Sequence, residues 1–265
     1  MKKNNKEVFA KKKYGQNFLS DKNIINKIIK VFDYKDQNVL EIGPGRGALT
    51  KELVKDAKQV IAYEIDIDMV NVLNNEIQTD NFQLINQDFL QSDLSNLDKS
   101  WVIANIPYYI TTDILFKLFD NRTKFNGALL MVQKEVAQRI CAKPNQKDYS
   151  KLSLSSQYLA DCKLEFIVPA KCFNPAPKVD SAIISLVFKN QEETKDWDLL
   201  KDFFKICFEN RRKQLINTLK NHFETQSILD SYQKMNLDNK IRIQQLSLDQ
   251  VIELFWLLNN KNTLN

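Results

Sequence analysis

The chain has 265 residues, enough for one large domain or for a large domain with a smaller one beside it. Hydrophobic residues make up 43% and charged residues 27%, so a sizeable core is available, and no apolar run approaches the ~20 residues that span a bilayer, which argues against a helical membrane protein. Lys and Arg exceed Asp and Glu by 38 to 33, a net charge of +5 that permits a polyanionic partner without demanding one.

In chain order, the first ~20 residues read as a flexible basic arm ending in Tyr14-Gly15-Gln16-Asn17-Phe18-Leu19. Ser20 or Asp21 then caps a helix with Ile24, Ile25, Ile28, Ile29 and Phe32 on one side. Short apolar strands follow at Asn38–Ile42, Gln59–Tyr63, Phe82–Ile85, Trp101–Ala104, Ala128–Val132, Leu164–Val168 and Ala182–Phe188. Helical stretches at Leu49–Lys58, Asp66–Asn75, Thr112–Phe119 and Lys134–Ala142 separate most of them. Strands apolar on both faces that alternate with helices predict a parallel sheet covered on both sides. The last two strands have no good helix between them, and Pro169, Pro175 and Pro177 punctuate the loop, which predicts an antiparallel hairpin at the sheet's end. The expected architecture is α/β, a mostly parallel Rossmann-like sheet with one antiparallel strand.

After Lys189 the composition shifts. Gln191–Lys195 reads as a charged linker, and Trp197–Phe208, Arg211–Phe223, Ser227–Met235 and Leu248–Leu258 read as helices. The expected domains are therefore 1–190, Rossmann-like with its basic arm, and 191–265, small and all-helical.

The chemistry concentrates at successive strand ends. Val39-Leu40-Glu41-Ile42-Gly43-Pro44-Gly45-Arg46-Gly47 is a strand, then a glycine-rich turn opening a helix; read alone, such a turn is equally a tight connection. Glu64 ends the next strand, 21 residues beyond Gly43, where dinucleotide-type folds place the acid that grips ribose hydroxyls. Pro44 interrupts the G-x-G-x-x-G spacing, so a cofactor with a ribose and no pyrophosphate fits better than NAD. Asp88, after the third strand, is placed to accept from an adenine amino group, the alternative being a turn cap.

Asn105-Ile106-Pro107-Tyr108 follows the fourth strand. The amine of adenine is a weak nucleophile because its lone pair is delocalised into the ring. The Asn105 side-chain carbonyl and a nearby backbone carbonyl can accept both of its N–H bonds and favour a pyramidal nitrogen. Tyr108 can stack on the base, and Pro107 stiffens the loop. Attack on a sulfonium methyl group would then rest on positioning and hydrogen bonding. Read alone, the segment is equally a Pro-Tyr turn. The single histidine, His222, speaks against a Ser-His-Asp triad and His-rich metal sites. Cys141, Cys162, Cys172 and Cys207, with no close pair, read as reduced thiols of a cytosolic protein. No metal is expected. Met1–Lys13 lacks the apolar stretch of a secretory signal.

From Lys12 to about residue 258 the chain resembles the KsgA-type small-subunit (16S) ribosomal RNA adenine dimethyltransferases. The resemblance is carried by Tyr14–Leu19, Glu41–Gly45, Asn105–Tyr108, Gln133–Val136, Phe173-x-Pro175-x-Pro177-Lys178-Val179-Asp180-Ser181 and Phe208-x-x-Arg211-Arg212-Lys213. It implies that Asn17, Leu19, Gly43, Gly45, Glu64, Asp88 and Asn105 bind S-adenosylmethionine. It also implies an active site of Asn105, Ile106, Pro107 and Tyr108, with Phe173 on the far side of the target adenine. The implied reaction puts two methyl groups on each of two adjacent adenosines near the 3′ end of 16S rRNA, in the immature 30S subunit. Two departures stand out: Tyr109 where the bacterial pattern has Asn, and Ser150 where it has Gly, which puts that loop's conformation in question.

Lys11, Lys12, Lys13, Lys178, Arg211, Arg212 and Lys213 are the candidate RNA contacts. The last three head the expected Arg211–Phe223 helix, where cations oppose the macrodipole and phosphate binding would explain them; a solvated charged face is the plainer alternative. A large-subunit resistance methylase, a non-catalytic RNA-binding assembly or transcription factor, and a DNA adenine methylase are the competing readings. Nothing in the chain demands more than a monomer, and a cytoplasmic location is expected.

Overall fold

In the computed structural model, Ala10, Lys11 and residues 14–259 are described. The elements in order are β1 (Phe18–Leu19), α1 (Lys22–Ile28), β2 (Asn38–Ile42), α2 (Thr50–Asp56), β3 (Gln59–Glu64), α3 (Ile67–Glu76), β4 (Phe82–Asn86), β5 (Ser100–Asn105) and α4 (Thr111–Asp120). Then come β6 (Phe125–Gln133), α5 (Lys134–Ile140), α6 (Lys151–Leu159), β7 (Ala160–Val168), β8 (Phe173–Asn174) and β9 (Ser181–Phe188). The chain finishes with α7 (Trp197–Phe208), α8 (Leu215–Leu219), α9 (Thr225–Lys234) and α10 (Leu248–Asn259).

Seven strands form one sheet in the order β4-β3-β2-β5-β6-β9-β7. The pairs β2–β3, β3–β4, β2–β5 and β5–β6 are parallel, while β9 runs antiparallel to β6. This is the Rossmann-like arrangement expected. Leu40, Val60, Val102 and Leu130, from four neighbouring parallel strands, are fully buried, as strands covered on both faces require. The last two strands of the sheet are neighbours, but β9 lies inside and β7 forms the edge. The chain leaves β2 toward β3 and β4 on one side and resumes at β5 on the other, so a crevice opens beyond the carboxyl ends of β2 and β5.

Asp21, not Ser20, caps α1: its carboxylate accepts from the Asn23 and Ile24 N–H groups. Ser20 instead donates through both N–H and hydroxyl to the Cys172 carbonyl. The segment just before α1 is not the flexible arm expected. Phe18 and Leu19 pair with Asn174 and Phe173, because a buried Leu19 and a half-buried Phe18 find apolar partners there.

The chain divides into two compact units. The first holds the described residues to Ala137 and Lys163–Phe188; the second holds Gln138–Cys162 and the described residues from Lys189. The sequence places Gln138–Cys162 in the first domain; the structure does not. The reason is α6, which the sequence reading missed. Ser153, Ser155 and Ser156 blur its apolar period, yet all three are buried, and the helix packs with α7 inside the second unit. Ser150 is the extended N-cap residue of α6, and its N–H donates to the Ser153 hydroxyl, 2.9 Å away. Serine suits a cap, so its replacement of glycine strains nothing.

The Arg211–Phe223 helix shrinks to Leu215–Leu219. Arg211, Arg212 and Lys213 lie in the turn that follows α7, so they sit beyond a helix C-terminus, where the macrodipole favours cations. The dipole argument for phosphate binding therefore fails. Among the described residues, no helix is long and apolar enough to cross a membrane.

Candidate active site

The crevice beyond β2 and β5 contains a cavity of about 220 Å³. Asn17, Leu19, Gly43, Gly45, Glu64, Asp88, Asn105, Ile106, Pro107 and Tyr108 all line it, bringing ten of the eleven expected cofactor and catalytic residues together. Phe173 is the exception. It is buried in the core beside Leu19 and does not line the cavity, because its pairing with β1 turns it into the same apolar cluster.

The glycine-rich turn follows β2. Gly43 and Gly45 both have positive φ, and a Cβ on Gly45 would meet the Phe18 ring at 3.0 Å. Arg46, in the same turn, stacks its guanidinium 4.7 Å from the centre of that ring. Glu64 at the end of β3 is buried, and its carboxylate accepts from Gly45 N–H at 3.0 Å and Asp66 N–H at 2.8 Å. Burial drives its pKa above the usual carboxylate range against the pull of backbone N–H bonds from Asp66, Gly45 and Ile65. The acid thus braces the turn and still presents itself to the cavity. Asp88 caps a short 3-10 turn through Leu90 N–H at 2.9 Å and also lines the cavity.

Asn105 ends β5, and its side-chain N–H donates to the Asn17 carbonyl at 3.2 Å. Ile106 N–H donates to the Met131 carbonyl at 3.2 Å, anchoring the loop to β6. The Tyr108 hydroxyl bonds to the Ser181 hydroxyl, and burial raises the Tyr108 pKa. Tyr109 is 61% exposed, and a Cβ on Gly15 would come within 3.1 Å of its ring.

Four residues that sequence reasoning left without a role belong to this site. Glu41 lines the cavity from within β2, fully buried, with one carboxyl oxygen lacking a hydrogen-bond partner among the described residues. Burial pushes its pKa up to about 8. Ser181 holds Tyr108 from the start of β9. Gln16 and Asp66 bond to each other at 2.9 Å. Glu41, Gln16 and Ser181 all lie in the segments that carry the family resemblance; Asp66 does not, and only its place as the cap of α3 could have marked it.

Of the basic residues, Lys178, Arg212 and Lys213 are exposed. Arg211 points its guanidinium at the Gln146 and Lys147 carbonyls, at 3.1 and 2.6 Å, within the second unit. The Lys11 ammonium sits 2.6 Å from both Asp66 and Asp68, and those hydrogen bonds, Asp66 first, raise its pKa. Lys12 and Lys13 lie outside the described residues.

The profile of the ribosomal RNA adenine dimethylase family matches residues 8–260. The chain belongs to that family. It is 54% identical over 252 residues to the ribosomal RNA small subunit methyltransferase A of Mycoplasmopsis synoviae, covering 94% of this chain and 97% of the relative. It is 50% identical over 246 residues to the protein of that name from Mycoplasmopsis pulmonis, covering 93% and 98%. Among solved structures, a dimethyladenosine transferase from Plasmodium falciparum superposes with a TM-score of 0.83 at 28% identity, covering 92% of this chain and 98% of that one. The 23S rRNA methyltransferase ErmE superposes with a TM-score of 0.70 at 26% identity, covering 92% and 100%.

The family's cofactor is S-adenosylmethionine, and the residues present fit it. Glu41 offers a buried carboxyl oxygen with no partner among the described residues, Glu64 and Asp88 offer acceptors at successive strand ends, and the glycine turn is open to close approach. These acceptors suit the ammonium, the ribose hydroxyls and the adenine amine of such a molecule.

Proposed function

We propose that this chain methylates the exocyclic amine of adenosine in 16S rRNA, adding two methyl groups to each of two adjacent adenosines near the 3′ end in the immature 30S subunit. It acts as a cytoplasmic monomer. The observation that carries the reading is the Asn105–Tyr108 loop, which shares one cavity with Glu41, Glu64 and Asp88. The substrate follows from the small-subunit methyltransferases to which the chain is 54% and 50% identical.

When bound, S-adenosylmethionine supplies an electrophilic sulfonium methyl group. The chain's own residues do the rest. In the first transfer Asn105 Oδ1 accepts one N–H of the adenine amine and the Ile106 carbonyl the other, drawing the nitrogen lone pair out of conjugation. In the second, the monomethylated amine has one N–H left for one of these acceptors. Each transfer releases one amine proton to water and S-adenosylhomocysteine as leaving group. Tyr108, tethered through Ser181, stacks on the base. Pro107 keeps the loop rigid, so that positioning carries the rate. Lys178, Arg212 and Lys213 grip phosphates, alongside Lys12 and Lys13.

The test is methyl transfer from labelled S-adenosylmethionine to immature 30S subunits, with the modified nucleosides mapped by mass spectrometry. Dimethyladenosine confined to the 3′ end of 16S rRNA is the expected result. Transfer to 23S rRNA instead would favour the activity named for ErmE, which shares the fold at a lower TM-score. Asn105→Ala is expected to bind the cofactor and to lose turnover; near-parent turnover would remove Asn105 from the mechanism.

A further inference from the structure

We infer that Asp66 is a positioning residue for methyl transfer: through Lys11 and Gln16 it holds the segment before α1 so that the Asn17 carbonyl locks the Asn105 carboxamide in the orientation that accepts an adenine amine. The inference rests on Asn105 being the acceptor, as proposed above.

A carboxamide has two unlike ends of nearly the same shape. A half-turn about its last torsion exchanges an acceptor for a donor. Facing an adenine amine, the donor end would set N–H against N–H and hold nothing. The Asn17 carbonyl can only accept, and it lies 3.2 Å from Asn105 Nδ2. Its presence therefore selects one flip and leaves Asn105 Oδ1 for the substrate. This selection lasts only while the Asn17 backbone stays in place.

Two anchors hold that backbone. Downstream, the two-residue strand β1 pairs with β8. Upstream, Gln16 Nε2 donates to Asp66 Oδ2 at 2.9 Å, and Gln16 Oε1 accepts from Lys11 N–H at 2.7 Å. The Lys11 ammonium closes the loop at 2.6 Å from Asp66 Oδ1 and 2.6 Å from Asp68 Oδ2. Asp66 is 1% exposed, so the charge at the centre of this latch is out of water and its partners are strongly felt.

Capping α3 does not account for these bonds. The cap uses one acceptor bond, from Asp68 N–H at 3.1 Å, which an uncharged Asn or Ser would also provide. The second oxygen and the negative charge are met by Lys11 and Gln16 alone among the described contacts. Asp66 N–H in turn donates to Glu64 Oε1 at 2.8 Å, so the latch shares a carboxylate with the cofactor cavity.

The experiment uses the full chain in four forms: parent, Asp66→Asn, Lys11→Met and the double variant, with Lys11→Arg as the rescue. Asp66→Asn keeps a good capping residue, and Lys11→Met changes a partly exposed side chain, so at least one will fold normally. The first readout needs no RNA. With 15N-asparagine labelling and S-adenosylhomocysteine bound, the Nδ2 proton signals of Asn105, assigned by their loss in Asn105→Ser, report the lock. They are expected to exchange slowly in the parent and in Lys11→Arg, and roughly tenfold faster or more in Asp66→Asn and Lys11→Met. The second readout is turnover on immature 30S subunits. A fall in kcat of roughly 10- to 100-fold is expected, as for a reacting group displaced by about an ångström, with KM for the cofactor changing less. The double variant is expected to be no worse than the poorer single one, since both break one latch. Unchanged Asn105 exchange in both single variants would overturn the inference, as would parent-like kcat or multiplicative losses in the double variant. If the parent methylates no 30S RNA while its Asn105 signals behave as expected, the substrate reading fails and the latch stands.

Discussion

Glu41 and Glu64 lie on adjacent strands at one cavity, yet they are held differently. Glu64 has backbone N–H donors, Gly45 and Asp66 among them, to support its charge, while Glu41 has an oxygen without a partner among the described residues. Glu64→Ala should weaken cofactor binding by roughly 1.5–3 kcal/mol, the value of a lost charged hydrogen bond, and titration calorimetry would detect it; unchanged affinity would take Glu64 out of the pocket. Glu41 carries a pH signature. Its folded pKa of about 8 stands above the ordinary value of 4.5. Between those values the folded chain holds a proton that the unfolded chain has lost, so stability falls as pH rises through that window. Glu41→Gln removes the penalty, on the order of 3–5 kcal/mol once the parent's group is fully ionised. The variant should therefore melt like the parent near pH 4.5 and well above it at pH 8, measured without cofactor. Equal melting temperatures at pH 8 would mean Glu41 is not isolated from water.

Individual elements show where pattern reading is dependable. The parallel strands and α7 come through in the sequence because apolar runs of strand length, or apolar residues at helical spacing, leave little choice. Among the helices, the two it misread, α6 and α8, are those in which tertiary contacts decide. In α6 buried serines stand where the apolar stripe should be. Before α8, Arg211 is drawn to the Gln146 and Lys147 carbonyls, and the helix starts only after that turn. Arg211→Ala should accordingly destabilise the chain by about 1–3 kcal/mol, through two lost charge-assisted bonds. Both bonds leave the one guanidinium nitrogen, Nη2. Arg212→Ala and Lys213→Ala, at exposed positions, should leave the melting temperature nearly unchanged and weaken RNA binding. The opposite pattern in thermal melts and filter binding would return Arg211 to the RNA contacts.

For the whole molecule, RNA affinity should fall steeply with salt, by about 0.7–0.9 in the logarithmic slope for each phosphate contact. Lys178 belongs to the first unit and Arg212 and Lys213 to the second. If one RNA engages both, the slope lost on replacing Lys178 and the slope lost on replacing the pair should add. A flat titration, or no change with either replacement, would remove these residues from the interface. At this scale the sequence by itself determined the alternation of strands and helices, the glycine-rich turn after β2 with the acids at the next strand ends, and the Asn105–Tyr108 loop. All of these are encoded in short segments where local spacing sets the geometry. Only the tertiary structure decided that β9 inserts beside β6, that Gln138–Cys162 joins the second unit, that Phe173 belongs to the core, and that Lys11 pairs with Asp66 and Asp68. The reason is that each depends on a partner far along the chain: Lys11 and Asp66 are 55 residues apart, and no local period records which distant group a side chain will meet.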